Sequence, residues 1–338
     1  MFKDHLKKII SRSNLTQQEM SDMMMEIFSG EAGDAQIGAM MGALSTKGET
    51  YEELAGAAIA MRRKAVRIAA AAPIIVDTCG TGGDGAKTFN ISTTTAFVVA
   101  GCGVTVAKHG NRSVSSQCGS ADLLEALGLN LNVKPELVEE AVANIGIGFL
   151  FAPLYHSAMR HAANARKQIG LRSIFNMLGP LTNPAAANCQ ILGVYAPQLT
   201  EMFAHALNML GARRAFIVCG HDGLDEISVC APTRISELKD GRVFTYDITP
   251  EQFFGHNADP GDLIGGRPKE NAEITKKVLS GEKGPKRDIV LLNAAAALTA
   301  AGKAEKFKEG IQLAEHSIDS GNAMKKLEAL VAFTQENA

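Results

Sequence analysis

Asp77-Thr-Cys-Gly80-Thr81-Gly82-Gly83-Asp84-Gly85-Ala-Lys87-Thr88 decides how this chain is read. Before it, Ile74-Ile75-Val76 is a short buried-strand run; after it, Asn90 to Ala100 is helical in length and composition. Strand, glycine turn and helix in that order begin a parallel α/β crossover. Gly80, Gly82 and Gly85 spell G-x-G-x-x-G, in which missing side chains let backbone N–H groups approach phosphate oxygens and a helix N-terminus adds its dipole. A dinucleotide site then needs an acid some 20 residues downstream for the ribose hydroxyls. None is there, since Ala86 through Ala121 contains no Asp or Glu. Chance would put about four in such a stretch. Lys87, Lys108, His109 and Arg112 stand there instead, among Ser, Thr and Asn, a surface suited to a highly anionic ligand. A P-loop fails too, because Lys87 lies one residue too far beyond Gly85. The plainer alternative is a tight turn and nothing more.

Working outward, Val104-Thr-Val106, Ala215 to Cys219, Ile227-Ser-Val-Cys230 and Arg242 to Tyr246 read as strands. Leu123 to Leu127, Pro135 to Asn144, Ala158 to Ile169 and the Ala-rich Asp288 to Ala301 read as helices. This alternation predicts an α/β fold, a central, mostly parallel sheet wrapped by helices. Residues 1–72 read as helices only. Thr16-x-x-Glu19 and Thr50-x-x-Glu53 are capping boxes, and Asp34 opens a run closed at Lys47-Gly48. Met20, Met23, Met24, Met40 and Met41 are expected as helix-packing core or an oligomer surface. The character changes at Ala71-Ala72-Pro73, so the expected organisation is a helical domain over 1–72 and an α/β domain over 73–338. Gly255 to Pro268 reads as one long loop.

Composition narrows the function. Thirty-four Lys and Arg against 36 Asp and Glu leave a net charge of −2, no field for holding a polyanion by bulk charge. Aromatics are 5% and tryptophan is absent, which argues against a base-stacking platform. The six cysteines include no C-x-x-C pair. The charged start lacks a signal core, and no apolar run approaches the ~18 residues that span a bilayer. A cytoplasmic protein, with neither nucleic acid nor membrane as partner, is expected.

Two more clusters join the glycine turn. Asn90-Ile91-Ser92-Thr93 would open a helix with Asn90 or Ser92 near its cap. Lys108-His109-Gly110-Asn111-Arg112-Ser113-Val-Ser115-Ser116 follows a strand, at the sheet edge where α/β ligands bind. A solvated basic loop is the bland reading of the second.

With these in hand the chain closely resembles the anthranilate phosphoribosyltransferase family. The resemblance is carried by Gly80-Thr-Gly-Gly-Asp84, Asn90-Ile-Ser-Thr93, Lys108-His-Gly-Asn-Arg112, Asp225-Glu226 and Arg172-Ser-Ile-Phe-Asn-Met-Leu-Gly-Pro-Leu-Thr-Asn-Pro184. The glycine loop and Lys-His-Gly cluster alone are shared with pyrimidine nucleoside phosphorylases; the acidic pair and the Asn-Met-Leu-Gly-Pro run narrow the match. The resemblance implies a helical domain completed by a mid-chain excursion around 165–190, and a homodimer formed through it. It implies transfer of phosphoribosyl from 5-phosphoribosyl 1-diphosphate (PRPP) to the amine of anthranilate, in tryptophan biosynthesis. Association with an anthranilate synthase leaves no readable sign.

The family's residues carry over position by position. Gly80, Gly83, Asp84, Thr88, Asn90, Ile91, Ser92, Thr93, Lys108, His109, Gly110, Asn111, Arg112, Ser113, Ser115, Ser116 and Ser120 would hold PRPP. Lys108, Asp225 and Glu226 would be catalytic, with Asp225, Glu226 and Ser92 binding magnesium, two ions beside PRPP. Magnesium takes oxygen ligands and shares them with substrate phosphates, and adjacent acids serve this best from a loop, where Gly223 puts them. Anthranilate's carboxylate needs a cation and an apolar wall. Arg166 is the matching cation, with Gly80, Asn111, His109, His156, Met177, Gly179 and Pro180 completing the pocket. His109 is the one nearby candidate for a general base. Ser157 stands where relatives commonly carry proline, which bears on the local helix start. Rival readings are a pyrimidine nucleoside phosphorylase, a non-catalytic nucleic-acid-binding relative and a dehydrogenase.

Overall fold

Three of the first four helices, the second to the fourth, carry their own start signal. In the computed structural model, which describes residues 1–70, 72–113 and 117–337, α1 spans Phe2–Ile10, α2 Gln17–Phe28, α3 Asp34–Lys47 and α4 Tyr51–Lys64. Both capping boxes form: Thr16 Oγ1 accepts the Glu19 N–H at 3.2 Å, and Thr50 Oγ1 accepts that of Glu53 at 3.3 Å. The five methionines named above are buried, so they are core. Gly56 of α4 lies where a Cβ would overlap the Gln17 carbonyl, which lets α2 and α4 cross at backbone distance.

Glu53 does more than cap. Its Oε1 accepts the Leu15 N–H at 2.9 Å, and its Oε2 holds Lys47 Nζ at 2.8 Å, with the two side chains 0% and 4% exposed. Truncation leaves a buried ammonium without its counter-charge, with only Asn14 and the Gly48 carbonyl as partners, and strands a buried N–H. Glu53→Ala is therefore expected to cost about 3–5 kcal/mol of stability. Urea unfolding measures it, and a loss under ~1 kcal/mol would contradict the assignment.

Then the sheet begins: β1 Val76–Gly80, α5 Ile91–Gly101, β2 Val106–Gly110, α6 Ser120–Ala126, α7 Pro135–Asn144 and β3 Ile147–Phe151. The chain next leaves it for α8 Ala152–Tyr155, a 3₁₀ turn at Ser157–Met159, α9 Arg160–Ile169 and α10 Ile174–Leu178. α9 packs on α2 and α3, and α10 on α3 and α4, so this excursion lies against the N-terminal helices. No side chain caps the 3₁₀ turn at Ser157. β4 Cys189–Gly193, α11 Leu199–Met209, β5 Arg214–Gly220, β6 Thr233–Lys239 and β7 Arg242–Ile248 complete a seven-stranded sheet. Because Cys189 already belongs to β4, the excursion starts and ends earlier than the expected 165–190. α12 Glu251–Phe254, α13 Pro268–Leu279, α14 Pro285–Ala300, α15 Phe307–Asp319 and α16 Asn322–Glu336 follow.

Strand order is β3-β2-β1-β4-β5-β6-β7, with β1 to β5 parallel and β6 and β7 antiparallel. The chain builds from β1 toward β2 and β3, then restarts on the other side at β4. The carboxyl ends of β1 and β4 thus flank a topological switch point, where α/β sheets bind ligands. There Gly80 pairs with Gly193. The Ala-rich α14 is buried against α5 and the sheet, while α11 packs on β5, β6 and β7 and carries α4 of the N-terminal bundle against it.

Three expectations are corrected. Ile227–Cys230 is not a strand: the Ile227 N–H and carbonyl both bond the Asn293 side chain of α14, at 2.9 Å, and no ladder partner is left. Gly255–Pro268 is not one open loop, for it holds a 3₁₀ turn at Pro260–Leu263 and a bridge from Ile264 to Thr88. The strand runs at Ile74 and Val104 begin later, at Val76 and Val106. Ala71, in the expected domain break, lies outside the described residues.

Candidate active site

The glycine turn leaves β1 as an extended loop. Gly82, Gly83 and Gly85 stand at φ +66°, +81° and +73°, a region side chains disfavour. The N–H groups of Gly83, Asp84 and Gly85 have no partner among the described residues. The loop root is fixed by Thr81 N–H on the Gly193 carbonyl at 2.9 Å and by Gly82 N–H on Asp225 Oδ2 at 2.8 Å. Asp225 gets this close because two strand glycines make room. A Cβ at Gly193 would overlap the Asp225 carbonyl, and one at Gly80 would sit 2.5 Å from its Oδ2.

Asp225 and Glu226 occupy a turn, as expected, which brings both carboxylates toward the loop. Burial and then the charge of Asp84 push Asp225 up to about 7. Glu226 is pushed well up by burial, then by Asp225 and Asp84, against the pull of Lys108 and the Ser92 N–H. Asp84, Asp225 and Glu226 crowd together, and Lys108 offsets the charge of Glu226 alone among them, so the site is short of positive charge. A divalent cation with oxygen ligands fits that deficit. Among the described residues no three His, Cys, Asp or Glu side chains form a metal cage, so substrate oxygens would have to complete the coordination.

Lys108 is 3% exposed; its Nζ donates to the Thr78 carbonyl at 2.5 Å and approaches Ser92 Oγ at 3.4 Å. Burial lowers its pKa, opposed by Asp77 and Glu226. Asp77 accepts the His109 N–H at 3.2 Å and Asn183 Nδ2 at 2.8 Å. His109 is not poised as a base. Burial, then His156, drives it down to about 3, its Nδ1 bonds the Gly179 carbonyl at 3.1 Å, and its Nε2 meets His156 Nε2 at 3.2 Å. Burial thus favours its neutral ring.

The remaining PRPP candidates divide. Asn90 is the N-cap residue of α5, as expected, but its side chain is used elsewhere: its Oδ1 accepts the Thr93 hydroxyl at 2.9 Å and its Nδ2 donates to the Cys118 carbonyl at 3.0 Å. Ile91 is core, and Thr88 is pinned through its backbone bridge. Ser120 Oγ bonds both the N–H and carbonyl of Asn111, at 3.2 and 3.1 Å, and sits too close to Gly110 for any side chain there. Arg112 is not a bare cation, because Asp122 and Glu125 hold it at 3.0 and 2.9 Å. The Ser113 N–H donates to Asp122. Ser115 and Ser116 lie outside the described residues.

On the acceptor side, Arg166 is half-buried on α9 with its guanidinium 5.6 Å from the Phe175 ring centre. Burial lowers its pKa, and no carboxylate pairs with it among the described residues. Met177, Pro180 and His156 are buried, and Gly179 and His156 both meet the His109 ring of β2. Residue patterns alone did not single out Gly193, Asn183 or Gln190, whose Nε2 donates to the Pro180 carbonyl at 2.8 Å. The register of β4 beside β1 makes Gly193 and Gln190 visible, and the bonds of Asn183 to Asp77 and the Ala107 carbonyl reveal the third.

Comparison with known proteins bears on this geometry. A family described as "Glycosyl transferase family, a/b domain" matches residues 72–324, and one described as "Glycosyl transferase family, helical bundle domain" matches 3–65. An anthranilate phosphoribosyltransferase of Syntrophobacter fumaroxidans is 71% identical over all of both chains. The crystal structure of the Thermus thermophilus enzyme of that name superposes with a TM-score of 0.93 at 44% identity, covering 98% of this chain and 99% of its own. That of Saccharomyces cerevisiae, in complex with PRPP and Mg, gives 0.90 at 32%, covering 99% and 98%.

Proposed function

This chain belongs to the anthranilate phosphoribosyltransferase family, and from that premise we propose how its own residues carry the reaction. The enzyme transfers the phosphoribosyl group of PRPP to the amino group of anthranilate, releasing diphosphate, a step of tryptophan biosynthesis. Breaking the anomeric C–O bond leaves negative charge on the diphosphate and positive charge on the sugar, so the main task is electrostatic. The observation that carries our reading is the glycine loop: unpaired N–H groups at Gly83, Asp84 and Gly85 beside the Asp225–Glu226 turn. Those donors receive the phosphates, while Asp84 suits the ribose hydroxyls better than a phosphate that would repel it.

Asp225, Glu226 and the Ser92 hydroxyl hold magnesium, in our reading two ions with PRPP. A divalent ion held by these three residues would supply the positive charge that the departing diphosphate needs. Lys108 is the counter-ion that keeps Glu226 and Asp77 compatible with burial. An aromatic amine is neutral at pH 7 and attacks before it loses its proton, so a neutral His109 costs nothing. Cytoplasmic location and a homodimer complete the proposal; the exposed Ile10 and Tyr51 offer a second copy apolar surface on the bundle. Among the described residues no helix is long and apolar enough to cross a membrane.

Arg166 grips the anthranilate carboxylate. Arg166→Ala is expected to raise the KM for anthranilate about tenfold or more. The KM for PRPP should stay near native, and steady-state kinetics with each substrate varied would show an equal rise in both if the assignment were wrong. The whole reading is tested by following anthranilate fluorescence on adding PRPP and magnesium: it should fall as the amine is alkylated. Phosphorolysis of thymidine or uridine in its place would favour the nucleoside phosphorylase alternative.

A further inference from the structure

Arg172 is a cation that the reading so far leaves idle. It precedes α10, its carbonyl accepts the Ser45 hydroxyl of α3 at 3.4 Å, and it forms no ion pair among the described residues. Its guanidinium lies over the Tyr195 ring, 4.2 Å from the centre, and its Nη2 donates to the carbonyl of Gly83. Tyr195 follows β4, so the guanidinium bridges the helical excursion, the switch point and the glycine loop.

Between its root and the Thr88–Ile264 bridge, this loop has no helix or strand. Gly82 and Gly85 have nothing within reach of a Cβ, whereas a Cβ on Gly83 would run into the Arg172 guanidinium. Ordering such a segment costs backbone entropy that no buried side chain offsets. Beyond Asp225, which holds the Gly82 N–H and lies beside Asp84, Arg172 is the outside side chain that bonds this span among the described residues, at the Gly83 carbonyl. Its contact is also directional. A trans peptide is planar, so fixing the Gly83 carbonyl fixes the Asp84 N–H on the opposite edge. The guanidinium takes up the acceptor edge and leaves the donor edge for an anion.

We propose that Arg172, steadied by Tyr195, is a positioning residue for the phosphate-binding loop, acting through the Gly83–Asp84 peptide and setting affinity for PRPP but not for anthranilate. This rests on the loop being the PRPP site. The test uses the full-length enzyme with Arg172→Ala, Arg172→Lys and Tyr195→Leu, measuring binding of magnesium-PRPP by calorimetry and the KM of each substrate. Arg172→Ala should weaken PRPP binding about tenfold or more, the scale of a lost charge-assisted hydrogen bond. Anthranilate KM should stay within about twofold and Tm within a few degrees, because an exposed contact contributes little to folding. Arg172→Lys keeps a donor for the carbonyl but loses the flat stack, so it should fall between native and Ala, with Tyr195→Leu beside it. Equal PRPP affinity in native and Ala or Lys forms overturns the proposal, as does a matched rise in both KM values. A native enzyme that binds no PRPP overturns the loop reading and this proposal with it.

Discussion

Converting both Asp225 and Glu226 to amides, in Asp225→Asn with Glu226→Gln, is expected to cut turnover by at least about 10³-fold at ordinary magnesium. The loss should fall on kcat, because charge develops on the diphosphate only as the bond breaks. Folding should survive. In the metal-free protein burial, and then repulsion among Asp225, Glu226 and Asp84, makes both carboxylates costly and raises their pKa values. Amides of the same shape remove the conflict, so Tm without magnesium should equal or exceed the native value. Turnover within tenfold of native would remove the metal assignment, however well the variant folds.

Gly193→Val is the second large effect. Even a methyl group at that position overlaps the Asp225 carbonyl, and the backbone carrying the acidic pair must move. A displacement of that kind costs on the order of 10²-fold in kcat/KM. It should also raise the magnesium needed for half-maximal rate, a readout that a folding defect alone would not move. Gly42→Ala is the control: it sits in α3 with nothing within 4 Å of a Cβ, and should leave rates alone while gaining up to ~1 kcal/mol of stability. An active Gly193→Val with native magnesium dependence would show that the turn tolerates a shift the close approach forbids.

What could be read from the residues was local. Thr16 and Thr50 announce α2 and α4 because a capping box needs only four consecutive residues. The glycine turn is legible for the same reason, and the missing acids from Ala86 to Ala121 exclude a dinucleotide. Pairings across the chain were not legible. Ile227–Cys230 has strand composition, yet it is satisfied by Asn293 of α14, sixty-six positions away. Arg112 looked free because its stretch holds no acid, but the first acids after it, Asp122 and Glu125, fold back onto it. Gly193 looks like any strand glycine until β4 is laid beside β1. His109 has a useful pKa only in water, and burial removes it.

In our reading Arg166 and much of its pocket come from helices inserted between β3 and β4, with His109 of β2 behind them, whereas the glycine loop and acidic turn grow from the sheet itself. A library confined to Met159 through Met177 that spares Arg166 and Arg172 should therefore retune which aromatic amine is accepted while leaving the sugar donor untouched. The sheet-borne half would act as a fixed chassis, and the inserted helices as its exchangeable front end.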